Sequence, residues 1–310
     1  MLSTAFRLLV ASALLLVAPL SGSLADKLPI IDAHNQSDQH ISYDEILDLM
    51  DDAGVSRVIL SQRGEKRHDE LTKFAAKHPD RIIPAVRTKG QNVKQVKQQI
   101  RKYRSGAMAE VLMWHRQKST LRVTGGRGEF KAPPQVVLPP DHPKVRKLLK
   151  IARKKKWPFI PHIEFGSAGA DRDPFMAKLE DLLRQHPNHP FALMNMGMLP
   201  YEEIKRLIEA HPNVYFLTAG SDPISVRKSD NPFTKMFDGI WLEDRWKDLM
   251  IRHPDRLILA IDSVWDDNWR KHYVEQIEMW REALRRLPHD VAHAFAHGNA
   301  ERLWRLPSAR

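Results

Sequence analysis

The sequence predicts an α/β protein with the architecture of a (β/α)8 TIM barrel. Short apolar segments typical of buried strands alternate with segments whose apolar residues recur at helical spacing. A His-Pro-Asn or His-Pro-Asp tripeptide stands where a helix ends and a strand begins, at His78, His186, His211 and His253. Histidine suits the negative end of a helix and proline cannot continue it, so this recurrence indicates a repeated strand–helix unit. A doubly wound open sheet is the alternative, but no glycine-rich fingerprint follows an early strand.

Residues 1–25 have the pattern of a secretory signal peptide. An apolar run, Leu8 to Leu20, follows a short basic start, and Ser23-Leu24-Ala25 provides the small residues of a cleavage site. The run is too short for a membrane span, which needs about 20 residues. We therefore expect an exported protein, periplasmic or secreted, with no membrane span and with its barrel domain in residues 26–310.

Composition excludes several classes of protein. The chain has no cysteine, which excludes a disulfide framework and a thiolate metal site. Its formal net charge is +11, but the densest basic run, residues 144–156, interleaves apolar residues at helical spacing. That pattern predicts a helix with a solvated basic face. We expect a small-molecule substrate and no nucleic-acid partner, and a homo-oligomer is left open.

The predicted elements follow one another through the whole of the barrel domain. The eight strands are expected at residues 28–36, 55–61, 81–86, 107–114, 157–164, 191–195, 214–218 and 257–262. The helix after the first strand begins with a capping box, Ser42-Tyr-Asp-Glu45, and ends at Gly54. The segment 116–143 is rich in glycine and proline, and loops of this length inside a compact domain are usually functional lids or disordered.

Polar side chains stand at the carboxyl ends of the predicted strands, the end at which barrel enzymes carry their chemistry. The first strand delivers Asp32, His34 and Gln36, which a period of two would place on one face. Corresponding positions on later strands hold Glu110, His115, His162, Glu164, Asn195 and Asp262. Histidines and a carboxylate that converge from different strands are what a hydrolytic metal site needs. The four His-Pro histidines lie at the other end and are expected to be structural, and a scaffold role is preferred for His115.

Three motifs resemble the amidohydrolase-related branch of the metal-dependent hydrolases. Ile31-Asp-Ala-His34, followed by Asp52-Ala-Gly-Val-Ser-Arg-Val58, is similar to the start of that family. Pro254 to Asp262 resembles the segment that carries its strand-eight aspartate, and Ala296 to Trp304 resembles its closing signature. The resemblance spans the mature chain in the right order. It implies a hydrolase that acts on an ester, lactone or amide bond through a metal-activated water.

The chain departs from that family's pattern at two positions. The family has a second histidine on the first strand and another on the sixth, and Gln36 and Asn195 stand in those places here. Amide oxygens are weak neutral ligands for zinc compared with imidazole. The resemblance therefore implies either one divalent ion, zinc or manganese, bound by His34, His162 and Asp262, or no ion at all.

The hydrolase hypothesis assigns a role to each of the remaining residues. Asp262 would accept the proton of the attacking water, and Glu110 is the second residue expected to be catalytic. The residues expected to bind substrate are Gln36, Asn195, Glu164 and Trp265. A metal-free binding protein that uses the same pocket is one alternative, which the amides of Gln36 and Asn195 favour. A non-oxidative decarboxylase is another, on fold analogy alone.

Overall fold

A computed structural model of the chain describes residues 28–64, 67–117 and 135–309. The predicted signal peptide and residues 118–134 of the predicted loop lie outside these residues. The described strands are β1 (Ile30–Ser37), β2 (Val55–Gln62), β3 (Ile82–Val86), β4 (Ala107–Met108), β5 (Val111–His115), β6 (Val136–Val137), β7 (Pro161–Ile163), β8 (Phe191–Leu193), β9 (Val214–Leu217), β10 (Phe237–Asp238), β11 (Trp241–Leu242) and β12 (Leu257–Ile258). The described α-helices are α1 (Tyr43–Asp52), α2 (His68–Lys77), α3 (Val93–Lys102), α4 (Pro143–Lys155), α5 (Arg172–Gln185), α6 (Tyr201–Ala210), α7 (Pro223–Lys228), α8 (Asp244–Arg252), α9 (Asp266–Leu284), α10 (His289–His293) and α11 (Asn299–Trp304).

The parallel strands curl into a closed barrel, which confirms the predicted fold. β1 pairs with β2, β2 with β3, and β3 with β4. β4 and β5 together form the fourth strand of the barrel, and β5 pairs with β7. A bridge between Phe159 and Phe191 leads to β8, which pairs with β9, and β9 pairs with β12. The Ala33 N–H donates to the Leu259 carbonyl at 3.0 Å, and the Gln36 N–H donates to the Ser263 carbonyl at 3.0 Å. These bonds join the last strand to the first.

The His-Pro turns stand where the sequence predicts them. His78, His186, His211 and His253 are the residues that end α2, α5, α6 and α8, and a barrel strand follows each of them. Because these turns lead into strands, they lie at the amino ends of the strands. The carboxyl ends are therefore at the opposite end of the barrel.

The core has two apolar clusters. One lies between the strands and the surrounding helices, and the other, which includes Ile31, Ala33, Ile59, Ala192 and Ile258, fills the barrel. None of the helices in the described residues is long and apolar enough to cross a membrane.

The first strand is irregular at the residues that were expected to share a face. Its register against β2 shifts between Asp32 and Asn35, where three steps on β1 match two on β2. Asp32 consequently contacts Tyr273 on α9, whereas Gln36 lines the cavity at the carboxyl ends of the strands. Burial raises the pKa of Asp32 to about 7, and hydrogen bonds from its neighbours oppose that rise. The expected common face of Asp32 and Gln36 is therefore wrong, because a bulge interrupts the period of two.

Candidate active site

A cavity of about 250 Å³ opens at the carboxyl ends of the barrel strands. Of the residues selected from the sequence, the cavity is lined by Gln36, Glu110, His115, His162, Asn195, Asp262 and Trp265. The strands thus bring together side chains that are far apart in sequence, as the barrel fold requires.

The side-chain amide of Gln36 connects two carboxylates across this cavity. Its Nε2 donates to Oδ1 of Asp262 at 3.0 Å and to Oε1 of Glu110 at 3.3 Å. Its Oε1 accepts from Nη1 of Arg63 at 3.3 Å. The amide therefore places N–H donors between two carboxylates that would otherwise repel one another.

His162 lies between two other carboxylate oxygens. Its Nδ1 is 2.5 Å from Oε2 of Glu110, and its Nε2 is 3.4 Å from Oε1 of Glu164. Burial alone would lower the pKa of His162, but the charge and hydrogen bond of Glu110, with those of Glu164, raise it to about 9. Burial would likewise raise the pKa of Glu110, but the His162 cation outweighs burial and lowers that pKa well below its usual range. Without a metal ion, the ring is therefore an imidazolium at neutral pH.

Within the described part of the chain, a single group of three side chains has the donors and the spacing to bind a metal ion. His115, His162 and Glu164 are buried, and one ligand atom from each lies within 4.8 Å of the others. His115 Nε2 is 3.6 Å from Oε1 of Glu164. Two imidazoles and a carboxylate are the donors of many catalytic zinc sites. Glu110 on the Nδ1 side of His162 is the outer carboxylate that orients such a ligand, so these residues fit a divalent ion.

The predicted ligands His34, His162 and Asp262 are placed in two different groups. His34 Nε2 is 3.6 Å from Oδ1 of Asp262 and has no hydrogen-bond partner among the described residues. His162 instead faces Glu110 and Glu164. Asp262 has a left-handed backbone, with φ of 60°, and its N–H donates to the His34 carbonyl at 3.0 Å. This conformation is uncommon outside glycine and is typical of residues under functional constraint.

The residues predicted to bind substrate differ in their access to the cavity. Asn195 lines it from a run of left-handed residues, 195–198, that begins two residues after the end of β8. Trp265 lines it too, with the Arg63 guanidinium 4.2 Å from its ring centre. Glu164 is fully buried and does not line the cavity, because its oxygens face the two histidines and accept from the Arg116 N–H at 2.8 Å.

Two features of the cavity were missed in the sequence. Arg63 and Lys89 add positive charge to its lining, and Arg63 directly follows β2, so its position at a strand end could have identified it. His115, for which a scaffold role was preferred, lines the cavity and belongs to the group with metal-binding spacing. Its place at the end of β5 was the available signal.

Substitution of Gln36 by glutamate tests the role of its amide. Gln36→Glu would place a third carboxylate between those of Asp262 and Glu110, so we expect the free energy of unfolding at neutral pH to fall by about 2 kcal/mol or more. Urea unfolding measures this loss. Because protonation removes the repulsion, the loss should shrink as pH falls toward about 4, and a loss independent of pH would contradict the proposed repulsion.

Comparison with known proteins identifies the family of the chain. The sequence model of the amidohydrolase family matches residues 13–306. The chain belongs to the amidohydrolase family. This membership confirms the resemblance carried by the sequence motifs. Among curated proteins, no sequence matches this chain.

Solved structures share the fold of this member of the amidohydrolase family at low sequence identity. An uncharacterized TIM-barrel protein from Bordetella bronchiseptica has a TM-score of 0.57 at 15% identity, covering 90% of this chain and 99% of its own. An amidohydrolase from Burkholderia multivorans with bound zinc has a TM-score of 0.55 at 12% identity, covering 90% and 100%. Dihydroorotase from Saccharomyces cerevisiae, in complex with 5-fluoroorotic acid, has a TM-score of 0.55 at 10% identity, covering 90% and 85%. At these identities, the likeness concerns the fold alone.

Proposed function

We propose that the protein is an exported hydrolase that cleaves an ester, lactone or amide bond of a small polar molecule. Membership of the amidohydrolase family supports the hydrolase class. The observation that carries the site is the placement of His162 between Glu110 and Glu164, in a cavity that also contains Asp262. Export is proposed from the signal-peptide pattern of residues 1–25.

A divalent ion, zinc or manganese, is proposed to bind Nε2 of His162 together with His115 and Glu164. A histidine binds a metal only in its neutral form, so the ion would take the place of the Nε2 proton. When bound, it would lower the pKa of a water and polarise the substrate carbonyl. The histidines line the cavity, whereas Glu164 approaches them from the buried side.

The protein's own groups would position and move protons in this proposal. Asp262 lines the cavity with 17% of its side chain exposed, so it can accept the proton of an attacking water as general base. Gln36 would fix the orientation of Asp262 through its amide, and Glu110 would fix the ring of His162 through Nδ1. Asn195, Trp265 and Arg63 would contact a polar substrate.

Metal content distinguishes the two possible ligand groups. After the purified mature protein has been loaded with zinc or manganese, we expect His115→Ala to lose most of the ion and His34→Ala to retain it. Elemental analysis measures the metal content of both variants. The variants serve as controls for each other, because each lacks one buried imidazole. The reverse result would favour His34, His162 and Asp262 as the ligands. A panel of lactones, esters and amides then tests hydrolysis.

A metal-free binding protein is the second candidate, and the amide of Gln36 is the observation that favours it. This amide satisfies Asp262 and Glu110 together, so the cavity carries no unbalanced pair of carboxylates when no ion is bound. If the loaded wild type retains no metal and hydrolyses no member of the panel, we expect ligands that raise its thermal stability without being consumed.

A further inference from the structure

A second cavity, of about 360 Å³, lies at the amino ends of the barrel strands, opposite the candidate active site. It is formed by the end of α4, the turn between α5 and β8, and the end of α11. Four basic side chains line it: Arg153, Lys156, Arg302 and Arg305. Among the described residues, no aspartate or glutamate does so. The cavity therefore concentrates positive charge away from the site already described.

A buried histidine in this cavity has an unsatisfied ring nitrogen. His189 is 8% exposed, and its Nε2 has no hydrogen-bond partner in the described ranges of the chain. The ring stands edge-on to Phe191, with ring centres 5.4 Å apart. Burial lowers the pKa of His189 to about 4, with help from the charges of Arg153 and His186, so the ring is neutral at neutral pH. Nε2 has almost no surface accessible to solvent, so a ligand in the cavity would reach it only after the ring turns. A neutral ring that has turned can donate from Nε2 to an oxyanion.

Two of the basic residues occupy backbone positions that favour glycine. Lys156 follows α4 with φ of 59°, and Arg305 follows α11 with φ of 56°. Helices commonly end in such a left-handed residue, but glycine is its usual occupant because a Cβ is strained there. A basic side chain complements the negative end of a helix, which accounts for the sign of the charge at each position. The charge of a helix end does not explain why Lys156 and Arg305 line the same cavity as Arg153 and His189.

Three of these basic groups have no acidic partner among the described residues. Within residues 28–64, 67–117 and 135–309, the side chains of Arg153, Lys156 and Arg305 form no ion pair. Nη2 of Arg302 donates a hydrogen bond to the backbone carbonyl of Asp255 at 2.9 Å. The four charges meet at one cavity of about 360 Å³, which suits a compact anion better than a polyanionic strand.

We propose that this cavity binds a compact oxyanion of the phosphate type, either free or as the headgroup of a phospholipid. Lys156, Arg305 and Arg153 would supply the positive charge, and His189 would turn its ring to donate a hydrogen bond from Nε2. The site is separate from the proposed hydrolytic centre and does not depend on it.

The glycine preference of the two cap positions provides the test. Calorimetric titration with pyrophosphate and with inorganic phosphate, at constant ionic strength, compares the wild type with the double variant Lys156→Gly, Arg305→Gly. We expect the dissociation constant to rise at least about tenfold in the variant, because it loses two cationic contacts. Its Tm should stay unchanged or rise, because glycine relieves the left-handed backbone, so weaker binding would not reflect unfolding. Lys154→Gln, on the same helix end but outside the cavity lining, is the matched control and should bind like the wild type.

A vesicle experiment distinguishes the two sources of the phosphate group. Phosphatidylcholine vesicles, with and without phosphatidylglycerol, are sedimented with the wild type and the double variant. Binding of phosphate or pyrophosphate in the calorimeter supports a soluble ligand. Sedimentation of the protein that requires phosphatidylglycerol, Lys156 and Arg305 supports a lipid headgroup. The proposal is overturned if neither probe binds the wild type, or if the double variant binds as well as the wild type does.

Discussion

Replacement of His162 by alanine is expected to lower the free energy of unfolding by about 3–5 kcal/mol, because two buried carboxylates would lose the cation between them. Glu110 is 3% exposed and Glu164 is fully buried, so solvent cannot replace the imidazolium. Urea unfolding of chelator-treated protein measures the loss. His162→Gln is the graded control, because its amide nitrogen can still donate hydrogen bonds but carries no charge. An equal loss in the two variants would show that the charge of His162 contributes little.

The interaction of His162 with Glu110 also makes the free energy of unfolding depend on pH. The pKa of His162 rises from 6.5 to about 9 on folding, so its contribution is complete below pH 6.5 and is lost as pH rises through 9. The shift corresponds to roughly 3 kcal/mol. The lowered pKa of Glu110 gives a contribution that is present above 4.5 and is lost as pH falls. The stability difference between wild type and His162→Gln should therefore be largest near about pH 6 and small above pH 9.

Replacement of Asp262 by asparagine is expected to lower kcat on a substrate identified from the panel by about 10³-fold, because the proposed general base is lost. KM should change little, since asparagine has nearly the same shape and its Oδ1 can still accept from Gln36. Steady-state kinetics measures both constants.

Asn195→Ser is the contrasting variant for this experiment. Because Asn195 is proposed to contact substrate and not to transfer a proton, the substitution should raise KM more than it lowers kcat. If Asp262→Asn kept full activity, the assignment of Asp262 as the base would be wrong.

The fold could be predicted because its signals are local. Each His-Pro tripeptide marks the end of one helix and the beginning of one strand, and all four are found in that position. The closing motif, Ala296 to Trp304, allowed the family to be named from sequence, and the family comparison confirms it. The prediction of helix ends was only partly right, because half of the expected capping box of α1 forms. Ser42 caps α1 by accepting from the Glu45 N–H at 3.0 Å, but the Glu45 side chain pairs with Arg270 on α9.

The candidate site was harder to predict because it depends on geometry that a pattern does not contain. The bulge in β1 changes which side chains of that strand share a face, and no residue type in the strand indicates that a bulge is present. His115 and Glu164 meet only because β5 and β7 are neighbours, and strand ends do not reveal which side chains converge. The sequence therefore placed the candidate site at the carboxyl ends of the strands, where the cavity lies, but it could not select the partners of His162.

The closure of the barrel has a consequence for how the chain folds. The bonds that seal it join Ala33 to Leu259 and Gln36 to Ser263, and the Asn35 side chain accepts from the Ser263 N–H at 2.7 Å. As the polypeptide emerges from the ribosome, one edge of β1 has no partner until nearly the whole barrel has been synthesised. Contacts this distant in sequence slow folding, and an unpaired strand edge favours aggregation. A chain without the residues from 259 onward therefore cannot close its barrel, and the edge of its first strand stays open to other chains.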